Sequence, residues 1–215
     1  MDAKNILDFL KDEGTIRCAW GYELVKTSLE TNPKNYLEYA EEDLNTNLTH
    51  KYINALSNIK RALDGQADRL MKLLGVQQKR TIGFPKKLEY LQKVEILAPR
   101  ILNKINRHRN LVEHDYNNPK QEDVEDFFDI VSLFISSTEW YVENTIRLVE
   151  YNNEENEDFQ MYNNIEVTVD NENSQLLIRR LKPNLKSCID ELIVNINDSN
   201  YFEILKFHLK KVEFR

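Results

Sequence analysis

The eleven residues Asn106 to Tyr116, reading NRHRNLVEHDY, gather two of the chain's four histidines, two arginines and two asparagines. Histidine suits proton transfer because its ordinary pKa lies near neutrality. A guanidinium can hold a phosphate or a developing oxyanion through paired hydrogen bonds. The candidate site residues are Arg109 and His114, with Asn110, Glu113 and Tyr116 in support. A plainer arrangement uses the same residues. Arg109 and Glu113 stand four apart and can form a surface ion pair of little energetic value. His114 can be a solvated residue near a helix end, favourable there as a cation.

At about 100° per residue, Ala98, Ile101, Ile105 and Val112 share one side of a helix, which is expected to face the core, with His108 close to it. His114 and Asn110 fall away from that side, and Arg109, Glu113 and Tyr116 form a neighbouring column. Pro99 opens this helix, and Asn117-Asn118-Pro119 ends it and starts the next. From there Val124, Phe127, Phe128, Val131, Ile135, Val142, Ile146 and Val149 keep the helical period for some eight turns. Upstream, Pro33 suits the first turn of one helix. Leu48, Tyr52, Ala55, Leu56, Ile59, Ala62, Leu63, Leu70 and Leu73 lie on one stripe of another, with Gly75 as its stop. Residues 1–30 carry shorter helical patterns broken at Gly14 and Gly21.

Beyond residue 151 the pattern changes. Residues 152–158 are polar and acidic, as in a linker. Ile165, Val167 and Val169 then alternate with polar residues. A turn at 170–174 precedes Leu176 to Arg180, and Leu192, Val194 and Ile196 alternate again. The segment Tyr201 to Val212 reads equally well as strand or helix. The expected class is mainly α: a helical domain over 1–151, an acidic linker over 152–158, and a small β-rich or α+β appendage over 159–215.

The Arg109-x4-His114 spacing, with Asn110 after the arginine, resembles the HEPN superfamily, whose signature is Arg, four to six residues, then His. Tyr116 matches the Arg-x4-His-x-Tyr version of HEPN toxins that pair with a small nucleotidyltransferase antitoxin. The likeness covers residues 33–150. It implies an antiparallel helical bundle and a homodimer in which two such helices face each other across a cleft. The implied activity is metal-independent endoribonuclease chemistry: His114 as general base on a ribose 2′-OH, Arg109 on the phosphorane charge, and Asn110 donating to phosphate or orienting His114. No cofactor or metal is implied. Tyr116 resembles the position such an antitoxin modifies with AMP. The alternative is a non-catalytic HEPN module that binds RNA, nucleotide or a protein partner.

Charge is unevenly spread. The whole chain carries −7, which argues against sequence-blind nucleic-acid binding by its entire surface. Yet residues 77–110 hold nine basic residues, Lys79, Arg80, Lys86, Lys87, Lys93, Arg100, Lys104, Arg107 and Arg109, against Glu89 and Glu95. A basic region in an acidic chain can draw a polyanion to one face, or it can be a solvated charge segregation. Cys18 and Cys188 match no metal or disulfide spacing and read as ordinary buried or half-buried thiols. No apolar run approaches a membrane span, so the expectation is a cytoplasmic protein.

Overall fold

Asn32 accepts a hydrogen bond from the Lys34 amide at 3.0 Å, and Pro33 follows it at the first helical position, so α2 starts where its free amides are satisfied. It is the first helix of one of two compact units into which the chain divides. The computed structural model describes residues 1–20, 23–76, 82–114, 119–153, 164–182 and 187–209. The helical unit, residues 27–71 and 79–142, holds α2 (Pro33–Leu44), α3 (Lys51–Leu73), α4 (Phe84–Lys93), α5 (Pro99–His114) and α6 (Gln121–Asn144). Its core is built on α3, where Ala55, Ile59, Ala62, Leu63, Ala67 and Leu70 are buried. Phe84, Leu88 and Leu91 of α4, Leu102 and Ile105 of α5, and Val124, Phe127, Val131, Phe134 and Ile135 of α6 are buried with them.

The second unit, residues 1–26, 72–78 and 143–215, holds α1 (Ala3–Lys11), β1 (Ile16–Trp20), β2 (Leu148–Asn152), β3 (Asn164–Asp170), β4 (Gln175–Leu181), β5 (Cys188–Asn195) and α7 (Tyr201–Leu209). The strands form one antiparallel sheet in sequence order. Val149, Tyr151, Ile165, Val167, Val169, Leu176, Ile178 and Val194 point to one face and are buried. α7 packs on β4 and α1 on α7. Tyr201 donates its hydroxyl to the Leu74 carbonyl at 3.0 Å. At Gly75 the backbone φ is +69°, and a Cβ would come within 2.6 Å of that hydroxyl, so only glycine fits.

The mainly-α expectation is therefore corrected. Among the described residues the chain is α+β, with seven helices and a five-stranded sheet. Two features hid this. β1 is a single N-terminal strand that finds its partner, β2, more than a hundred residues later, and a lone strand has no nearby hairpin to mark it. Ile146 and Val149 also fit the helical period of α6 by chance. α6 ends at Asn144, and Leu148–Asn152 is a strand whose Val149 and Tyr151 face inward. Asn152, placed at the start of the expected linker, closes that strand, and residues 154–158 lie outside the described residues. The expected strands near 165–169, 176–180 and 192–196 correspond to β3, β4 and β5, and the ambiguous segment from Tyr201 is helix to Leu209. Cys188 is exposed, not buried. No helix among the described residues is long and apolar enough to cross a membrane.

His208 of α7 sits inside the sheet unit at 2% exposure, its Nε2–H donating to the Ile146 carbonyl at 2.6 Å. Nδ1 is buried with no hydrogen-bond partner among the described residues. Protonation would place a second N–H where no described residue accepts it, with the Arg17 guanidinium adding repulsion. Burial, followed by that charge, pushes the His208 pKa down to about 4. The unfolded chain thus takes up this proton near pH 6.5 and the folded one only near 4. The stabilisation is fully present above pH 6.5 and lost as pH falls toward 4, a change of about 3 kcal/mol. Urea unfolding followed between pH 7.5 and 4 should show this decline, and His208→Leu should flatten it.

Candidate functional site

Helix α5 begins with the Ala98 carbonyl accepting from the Ile101 and Leu102 amides. Its buried positions are Leu102 and Ile105, while Ile101 is 49% exposed. The inward stripe is therefore rotated from the expected one. Seven residues are close to two full turns, so Arg109 lies almost directly above Leu102, on the inward side. Its side chain is 19% exposed. The guanidinium carbon stands 5.0 Å from the centre of the Phe84 ring, and Nη2 is 3.7 Å from Asp64 Oδ2. An arginine can occupy a core stripe in this way because its stem is apolar, its plane stacks on an aromatic face, and one carboxylate offsets its charge.

The expected outward column is thus corrected at its first member: Arg109 turns toward α3 and α4. Asn110, the next residue, is exposed. Glu113 and His114 lie in the last turn of α5, with side chains outside the described residues, as is that of His108. Tyr116 falls outside the described residues altogether. Positions 109 and 114 differ by about 140° around the helix, so the backbone does not bring them to one face. Asn106, one turn before Arg109, holds a buried Oδ1 with no hydrogen-bond partner among the described residues.

Sequence reasoning missed the residues that fix this rotation. α3 carries Asp64 and Asp68 one turn apart, and each meets a cation from a neighbouring helix. Asp64 faces Arg109, and Asp68 holds the buried Lys87 of α4 at 2.6 Å. On another side of α3, Arg69 Nη1 donates to both Glu139 oxygens at 3.0 Å. Gln66 Nε2 donates to Thr138 Oγ1 at 2.9 Å and to Glu139 at 3.3 Å, and Lys34 of α2 reaches Glu139 at 3.2 Å. The available signal was acidic and basic residues within an otherwise apolar helix. Spacing on one helix cannot say which charge on another will meet them.

No family model, curated protein or solved structure matches the chain.

Removing Glu139 leaves Arg69 buried without its carboxylate. Glu139→Ala should destabilise the helical unit by about 3–5 kcal/mol, whereas joint replacement of Arg69 by Met and Glu139 by Leu should recover most of that loss. Urea midpoints with unchanged m-values measure both. A cost for Glu139→Ala below about 1 kcal/mol would mean that water already screens the pair.

Proposed function

We propose that the helical unit acts on RNA as a metal-independent endoribonuclease of HEPN type, in the cytoplasm, with two copies of α5 contributing to one cleft. The observation that carries this reading is the setting of Arg109. Its guanidinium rests on the Phe84 ring with Nη2 3.7 Å from Asp64 Oδ2, next to the exposed Asn110 and about a turn and a half before the helix end at His114. A stacked guanidinium keeps its orientation, and its planar fork suits paired hydrogen bonds to a phosphate. Because positions 109 and 114 diverge by about 140° on one helix, a shared phosphate calls for Arg109 of one copy and His114 of another.

In this chemistry the His114 imidazole removes the proton from a ribose 2′-OH. The 2′-oxygen attacks the adjacent phosphorus, and the bond from phosphorus to the 5′-oxygen breaks. The leaving oxygen takes a proton, giving a 2′,3′-cyclic phosphate and a 5′-hydroxyl. Arg109 stabilises the phosphorane charge and Asn110 donates to a phosphate oxygen. Only RNA supplies the nucleophile. A second reading, a non-catalytic HEPN module that binds RNA, nucleotide or a protein partner, is favoured by the same inward turn of Arg109, since an arginine engaged in packing can serve stability alone.

Incubating the protein with RNA in excess EDTA separates the two. The enzymatic reading expects cleavage with cyclic phosphate ends, a loss of about 10²- to 10⁴-fold in His114→Ala, and a loss of similar size in Arg109→Lys, which keeps the charge but not the paired hydrogen bonds. Wild-type protein that dimerises and binds RNA without cutting it would leave the binding module standing.

A further inference from the structure

The nine cations of residues 77–110 separate once each is placed. Lys79 and Arg80 lie outside the described residues. Lys87 and Arg109 turn inward, each facing an aspartate of α3. Lys86 is paired with Glu89. Arg100, Lys104 and Arg107 are all exposed, and none forms an ion pair with the described residues.

These three stand at positions i, i+4 and i+7, so they form one row on the outer side of α5, opposite Leu102 and Ile105. The exposed Asn103 and Asn110 flank the row. The single acid of α5 is Glu113. Carried on at about 100° per residue, the row reaches backbone position 114, the helix's last residue, about 21 Å from Arg100. Cations unmatched over such a length repel one another and remain open to an anionic chain.

The neighbouring helix adds a ring. α4 packs against α5, and its Tyr90 is half-buried between Lys86 and Lys93, whose ammonium groups lie 5.8 and 5.3 Å from the ring centre. A partly open aromatic ring can stack a nucleobase while the cations of the α5 row meet the phosphates. A duplex keeps its bases paired inside and would leave such a ring unused.

We propose that the outer row of α5, Arg100–Lys104–Arg107, is the path of a single-stranded RNA that leads toward position 114, and that Tyr90 of α4 takes one of its bases. This deepens the ribonuclease reading and rests on RNA being the substrate. The row tracks the phosphates without regard to sequence, and Tyr90 stacks one base. Specificity for single strands comes from the ring, and affinity comes from the row.

The test uses the full chain and a 12-nucleotide 2′-O-methyl oligouridine, which has no free 2′-OH and cannot be cut by this chemistry. Binding is titrated from low to moderate salt. Replacing Arg100, Lys104 and Arg107 together by Gln should weaken binding about 100-fold at 0.1 M salt and flatten the slope of log affinity against log salt by about 2. Tyr90→Ala should weaken binding about ten-fold with the slope unchanged, and Tyr90→Phe should bind as wild type. All these positions are exposed or half-exposed, and far-UV circular dichroism checks that each variant folds. Wild-type binding with unaltered affinity in the triple variant would overturn the path while leaving the ribonuclease reading intact. An equal effect of Tyr90→Ala on a 12-base-pair duplex would overturn the single-strand assignment. No binding of oligouridine, together with no cleavage of unmodified RNA, would overturn both readings at once.

Discussion

Glu139 is where three helices of the helical unit are tied together. Both its oxygens take Arg69, while Gln66 and Lys34 share the remaining acceptor sites. A buried carboxylate is tolerable only when so many donors converge on it, and the geometry that satisfies them admits little rotation of α3 against α6. With α3 held, the directions of Asp64 and Asp68 follow. These two aspartates then select which cations of α4 and α5 turn inward. The rotation of α5 is therefore set by charge pairing as much as by the short apolar stripe of Leu102 and Ile105. A change far from α5, at Glu139, would reach it through α3.

That dependence explains how the sequence misleads about α5. Its apolar residues are few, and Ile101, Ile105 and Val112 define a stripe centred to one side of Arg109. Ile101 is half exposed, whereas Arg109 is largely covered. An arginine that meets an aromatic face and a carboxylate counts energetically as a core residue, yet hydropathy ranks it with the surface. The helix itself, its start at Pro99 and the long α3 ending before Gly75 were legible, because caps and period act within one segment. The pairs Asp64–Arg109, Asp68–Lys87 and Arg69–Glu139 were not, because each joins residues brought together only by the fold.

The sheet unit shows the same division. β3, β4 and β5 follow one another with turns between, so alternation and turn residues announce them. β1 has no such neighbour and carries Arg17 at a position whose sheet partner is the buried Tyr151. The Tyr151 hydroxyl lacks a hydrogen-bond partner among the described residues, and burial pushes its pKa upward. His208 enters the same interior from α7, and the Arg17 charge acts on both rings. A half-buried arginine acting on a buried tyrosine and a buried histidine could not be foreseen from residues 17, 151 and 208, which lie on three separate elements.

Charge balance links the fold to the surface it leaves open. An acidic chain with net charge −7 would repel a polyanion if its charges were evenly mixed. Here α3 takes up two cations of the basic region, and Glu89 neutralises a third. What remains outward on α5 is a row of one sign, with two asparagines beside it and no acid before Glu113. Interior pairing thus concentrates the outer charge of α5 by turning inward Arg109, the cation that would have spread it around the helix. A wholly basic helix would attract an anion from every side, whereas this one presents a single track. The same ion pairs that hold the helical unit together therefore also give its α5 a direction along which a strand of phosphates can lie.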